Sequence, residues 1–119
     1  MGQGRSVLVV DDDPAIREVI ATALEDDGYS VETASNGAEA LDKAEHHQPD
    51  AIVLDATMPV MDGWEFLEHW HARPVEHRAP VLVVSALGRS TAALQRGAQG
   101  FLSKPFDLDT LEHTLGLVI

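Results

Sequence analysis

Asp50-Ala51-Ile52-Val53-Leu54-Asp55-Ala56-Thr57-Met58-Pro59-Val60-Met61-Asp62-Gly63 decides the fold of this chain: an apolar run ends in a carboxylate and then enters a loop punctuated by Pro and Gly. Four consecutive apolar residues without polar alternation predict a strand covered on both faces, as in a parallel sheet flanked by helices. Asp55 then stands at the strand's carboxyl end, the edge where open α/β sheets bind ligands. Alone, an aspartate in this place is more often a turn former or a helix cap than a reactive group. The rest of the chain has to separate the two.

Outward from that strand, the pattern repeats. Ser6 to Val10 is an apolar strand that stops at Asp11-Asp12-Asp13, and Pro14 suits the first turn of a helix capped by Asp13. Ile16, Val19, Ile20, Ala23 and Leu24 recur at helical spacing until Gly28. Ser30 to Ala34 alternates as a short strand, Asn36-Gly37-Ala38-Glu39 has the spacing of a capping box, and Pro49 marks the end of that second helix. Asp62 to Glu65 has the same spacing, followed by Trp64, Leu67 and Trp70 on an apolar side before Arg73-Pro74. Pro80 to Ser85 reads as a fourth strand, Thr91 to Arg96 as a weak fourth helix, and Gly100 to Ser103 as a short fifth strand. Lys104-Pro105 makes a turn, and Asp107 caps a last helix with Leu108, Leu111, Leu115 and Val118 on one face.

Five alternations of strand and helix predict one parallel sheet with right-handed crossovers and helices on both sides. All its strands end on the same edge. Asp11 and Asp12, Asp55, Ser85 and Lys104 are therefore expected to converge there although they lie far apart in the chain.

The 119 residues, 45% of them hydrophobic, suit a single domain. No apolar run approaches the roughly 20 residues of a membrane span, and the N-terminal residues lead straight into a strand, so a soluble, cytoplasmic protein without membrane association is expected. The absence of cysteine excludes disulfides and thiolate chemistry. A formal net charge of −12 repels phosphate backbones and argues against direct nucleic-acid binding by this segment. Six histidines, including His46-His47 and His69-x-His71, lack a regularly spaced third ligand, which disfavours a transition-metal site. Trp64, Phe66 and Trp70 read as cover for the sheet, and no glycine fingerprint for a dinucleotide or P-loop is present.

Carboxylates gathered at one edge repel by roughly 4 kcal/mol per pair at 4 Å and an effective dielectric of 20, so a cation is needed to join them. Oxygen ligands without His or Cys suit a hard ion, and Mg²⁺ takes one or two protein carboxylates while keeping waters and a phosphate oxygen. Carboxylate, Mg²⁺, hydroxyl and a lysine ammonium from Lys104 together form a trap for a transferring phosphoryl group, with Asp55 as nucleophile. The alternative is that Asp11, Asp12 and Asp13 are a capping cluster and Lys104 a solvated surface lysine.

Four motifs resolve this: Val9-Val10-Asp11-Asp12; Leu54-Asp55 with Met58-Pro59-Val60-Met61-Asp62-Gly63; Val84-Ser85-Ala86; and Gly97 to Phe106. Together they resemble the receiver domains of two-component response regulators, whose simplest members are the chemotaxis-type regulators, and the resemblance covers nearly the whole chain. It implies one receiver domain over 1–119 with a flavodoxin-like (βα)5 fold, doubly wound, of strand order 2-1-3-4-5. It implies that Asp55 accepts a phosphoryl group from a histidine kinase or phosphotransfer protein, as a signalling module and not an enzyme. Asp12, Asp55 and the Thr57 backbone carbonyl would hold Mg²⁺ or Mn²⁺, with Asp11 acting through a metal-bound water. Lys104 would pair with the phosphoryl oxygens, aimed by a cis bond before Pro105. Ser85 would supply the switch hydroxyl and Phe101 the switch aromatic, read by a downstream protein or a fused output domain.

Two features depart from the family pattern. The interval from Ser85 to Lys104 is about three residues shorter than usual, close to one helical turn of about 3.6 residues, so a shortened fourth helix is expected. Leu87 stands where many relatives place a polar residue, and with Thr57 it is expected to slow loss of the phosphoryl group. The competing readings are a phosphohydrolase with an aspartyl-phosphate intermediate and a receiver-like scaffold that is not phosphorylated. Against the first, Asp55-Ala56-Thr57 has no second acid two residues on to protonate a leaving group.

Overall fold

The computed structural model describes residues 4–55, 63–74, 79–85, 98–103 and 106–119. The loop from Ala56 to Asp62, Leu87, the expected fourth helix at Thr91 to Arg96, and Lys104-Pro105 lie outside them, as do the side chains of Trp64 and Ser85.

The described chain runs β1 (Ser6–Val10), α1 (Pro14–Asp26), β2 (Ser30–Ala34), α2 (Gly37–His47), β3 (Ala51–Asp55), α3 (Gly63–His71), β4 (Val81–Ser85), β5 (Gly100–Ser103) and a C-terminal helix, α4 (Leu108–Val118). The five strands pair in parallel in the order β2-β1-β3-β4-β5. This is the expected flavodoxin-like sheet.

The pleat of the strands explains why their sequences are apolar throughout. Val7 and Val9 point to one side of β1, where they meet Ile20 and Leu24 of α1 and Leu111 and Leu115 of α4. Leu8 and Val10 point to the other, against Ala40 and Ala44 of α2 and Phe66, Leu67 and Trp70 of α3. Each central strand is thus buried on both faces, and β3 has no exposed residue. No helix among the described residues is long and apolar enough to cross a membrane.

Helix boundaries follow from identifiable hydrogen bonds. Asp13 caps α1, its Oδ1 accepting from the amides of Ala15 (2.9 Å) and Ile16 (3.4 Å), with Pro14 in the first turn. The helix closes on Gly28 at φ 97°, where the Tyr29 amide donates to the Leu24 carbonyl (3.0 Å) and the Gly28 amide to that of Glu25 (3.0 Å). That pair of bonds is a Schellman motif, which requires the left-handed conformation glycine adopts without strain. Asn36 caps α2 through the Glu39 amide (2.8 Å), but the return bond differs from the expected box. Glu39 Oε1 accepts from the Ser35 amide (2.6 Å) and hydroxyl (2.9 Å), one residue before the cap. These bonds hold the Glu39 carboxyl below its ordinary value. Helix α2 ends at Gln48, a non-glycine residue at φ 45°, immediately before Pro49.

One expected apolar face is only half used. Ile20 and Leu24 of α1 are buried, whereas Ile16 and Val19 are 39% and 54% exposed. Trp70 is fully enclosed, stacked on Phe66 with ring centroids 5.8 Å apart, and its indole N–H donates to the Ala79 carbonyl (3.1 Å). Arg73 lies over the Trp70 ring and pairs with Glu45, tying α3 to α2.

Candidate functional site

Strand register brings the acidic residues together. On adjacent parallel strands Val10 stands opposite Leu54, so Asp11 and Asp55, the next residues, come off β1 and β3 side by side. Asp11 still belongs to the ladder, its amide donating to the Ala34 carbonyl of β2 (3.1 Å). Beyond it the chain turns. Asp11 Oδ1 accepts from the Asp13 amide (2.9 Å), and the Asp11 carbonyl accepts from the Arg17 guanidinium (2.9 Å).

The turn sorts the three consecutive aspartates. Asp13 is committed to the helix cap, as its place before Pro14 implies, which leaves Asp11 and Asp12 facing the end of β3. One carboxylate oxygen from each of Asp11, Asp12 and Asp55 lies within 4.8 Å of the other two. Asp11 and Asp55 are buried, at 3% and 5% exposure, and Asp12 is exposed. Asp11 and Asp55 are the only polar residues in the buried set among the described residues.

This arrangement fits a small hard cation. All three donors are oxygens, two are withdrawn from bulk water where mutual repulsion is least screened, and the third opens to solvent, by which an ion and its waters can enter. A carboxylate so placed can also act as a nucleophile once the neighbouring charge is balanced.

The remaining expected site residues are divided. β4 ends at Ser85, which pairs with Ser103 at the end of β5, so the Ser85 backbone reaches the same rim as Asp55. Its hydroxyl, the Thr57 carbonyl, Lys104 and Pro105 lie outside the described residues. Phe101 is half-buried and packs against the cluster beneath α2 and α3. Arg17 was not anticipated. A basic residue near the start of a helix opposes the helix dipole, and that misfit is the signal that could have singled it out.

The sequence matches the response regulator receiver domain family over residues 7–116. The chain belongs to this family, the receiver domains of two-component signal transduction, which are signalling modules that interact with histidine kinases and output domains. The chemotaxis response regulator CheY4 of Vibrio cholerae has a similar structure, with a TM-score of 0.90 and 38% identity over 98% of this chain and 99% of that one. The receiver domain of NtrX from Brucella abortus aligns with a TM-score of 0.86 and 31% identity, covering 94% and 96% of the two chains. Among curated relatives, the response regulator MprA of Mycobacterium avium is 44% identical over 108 residues, 88% of this chain and 46% of MprA. A response regulator of Synechocystis is 39% identical over 116 residues, 94% of this chain and 50% of the relative. The chain thus spans about half the length of these curated relatives.

Proposed function

We propose that residues 1–119 act as one receiver domain in which Asp55 accepts a phosphoryl group from a phosphohistidine of a kinase or phosphotransfer protein. The observation that carries this reading is the convergence of Asp11, Asp12 and Asp55 within 4.8 Å at the carboxyl edge of the sheet. Three acids in that space are electrostatically unfavourable as a structural device and useful as a cation site.

In this reading Asp12 and Asp55 would hold Mg²⁺ or Mn²⁺ together with the Thr57 carbonyl, and Asp11 would contribute through a metal-bound water. When bound, the cation offsets the carboxylates' charge and provides positive potential for the phosphoryl oxygens. Asp55 attacks the phosphorus in line with the leaving imidazole. A P–O bond forms, the P–N bond breaks, and its electron pair remains on the imidazole nitrogen. Lys104 and the Ser85 hydroxyl pair with the phosphoryl oxygens, and Phe101 repacks as the hydroxyl moves. The product shifts a two-state equilibrium that a protein partner or fused output domain reads.

The test is incubation with Mg²⁺ and a small phosphodonor such as acetyl phosphate, followed by intact-mass measurement. A single hydroxylamine-sensitive phosphoryl group is expected, absent without Mg²⁺ and absent from Asp55→Asn. Sustained release of phosphate over many turnovers would favour a phosphohydrolase, and an unmodified protein would favour a scaffold.

A further inference from the structure

Arg17 is half-buried on α1, and its guanidinium turns back across the first helical turn to donate to the Asp11 carbonyl at 2.9 Å. With the Asp11 amide held by Ala34 and its carboxylate by the Asp13 amide, this bond adds a third fixed point, among the described residues, where β1 leaves the sheet. The neighbouring Asp12 side chain is exposed and projects from this same corner. We propose that Arg17 is a positioning residue for the cation site: by clamping the Asp11 peptide group it holds the Asp11 and Asp12 carboxylates at the spacing to Asp55 that a divalent ion needs. The proposal rests on the reading of these three aspartates as a cation site.

Two effects of Arg17 oppose each other, and their signs differ. Its positive charge near the acids disfavours a second cation, so on charge alone its removal tightens metal binding. Its hydrogen bond orders the ligands, so on geometry its removal weakens binding, and partners that stand behind metal ligands typically contribute about 10-fold or more to affinity. The clamp sits one peptide from Asp12 and within Asp11 itself, and geometry prevails.

The test is calorimetric titration of Mg²⁺ into the whole chain, without phosphodonor, for the parent, Arg17→Ala, Arg17→Lys and Lys43→Ala, each checked for folding by circular dichroism. Lys43 is the matched control, since its ammonium also bonds a backbone carbonyl from a helix, that of Thr33 (2.6 Å) on the edge strand. Arg17→Ala is expected to bind Mg²⁺ about tenfold more weakly, Arg17→Lys between it and the parent, and Lys43→Ala as the parent does. Unchanged or tighter binding by Arg17→Ala, or equal weakening by Lys43→Ala, overturns the proposal. Asp12→Asn and Asp55→Asn are titrated alongside. If these bind as the parent does, the cation-site reading itself fails and the role of Arg17 with it; if they weaken and Arg17→Ala does not, only the role of Arg17 is lost.

Discussion

Asp11 and Asp55 leave adjacent parallel strands at matching positions, one residue beyond the Val10 and Leu54 pair, and both are buried. Two acids in that relation, with Asp12 close by, carry a repulsion that the fold tolerates. Replacing Asp55 with Asn removes the Asp55 part of it at nearly constant volume. In Mg²⁺-free buffer Asp55→Asn is therefore expected to unfold at higher urea concentration, with a gain of about 2 kcal/mol. Mg²⁺ at ten times its dissociation constant should stabilise the parent by about 1.4 kcal/mol and the variant by much less. A variant less stable than the parent in the absence of Mg²⁺ would contradict the repulsion.

Gly100 opens β5 beneath the C-terminal helix, and a Cβ added there would lie 3.0 Å from Leu82 Cδ1 and 3.1 Å from Val118 Cγ1. Both neighbours must give way. Gly100→Ala is expected to cost about 1 kcal/mol and Gly100→Val about 2–3 kcal/mol, read from thermal unfolding. Adding Val118→Ala should recover part of the Gly100→Ala loss, because the two sites share one space.

Glu39 and Glu112 should respond to acid in opposite directions. The Ser35 amide and hydroxyl hold the Glu39 carboxyl below 4.5, so its contribution is complete at neutral pH and is lost as pH falls through the lowered folded value. Glu39→Gln should therefore be less stable than the parent near pH 7 and approach it below pH 4.5. Glu112 is raised, first by partial burial and then by Asp27, Asp109 and Asp26. A carboxyl raised on folding binds its proton more tightly in the native state, so ionising it costs stability as pH rises from 4.5 through the folded value. Glu112→Gln should be slightly more stable near pH 7, by no more than about 0.5 kcal/mol given its exposure, and the gain should vanish in acid.

Trp70 offers both packing and a buried hydrogen bond. Trp70→Phe loses the contact to the Ala79 carbonyl and leaves space beside Phe66, for an expected destabilisation of about 2–3 kcal/mol in denaturant unfolding. Arg73→Ala, which removes a partly exposed ion pair and a ring contact, should cost about 1 kcal/mol or less.

The sequence by itself determined the alternation of strands and helices among the described residues, the double-sided burial of β1, β3 and β4, and the caps at Asp13, Asn36 and Asp107. These depend on local chemistry and on periodicities of about 2 and 3.6 residues, which neighbours in the chain express directly. It also marked Asp11, Asp12 and Asp55 as convergent, because parallel strands share one carboxyl edge. Tertiary structure decided what depends on distance and angle between elements. The Val10 and Leu54 register set the spacing of the acids, the packing of α1 left Ile16 and Val19 exposed, and the return bond of Glu39 shifted to Ser35. The reach of Arg17 to the Asp11 carbonyl belongs to the same group. A side chain that bonds to a backbone group leaves no pattern in residue types, since every residue carries that carbonyl, and only the folded corner brings the two within 2.9 Å.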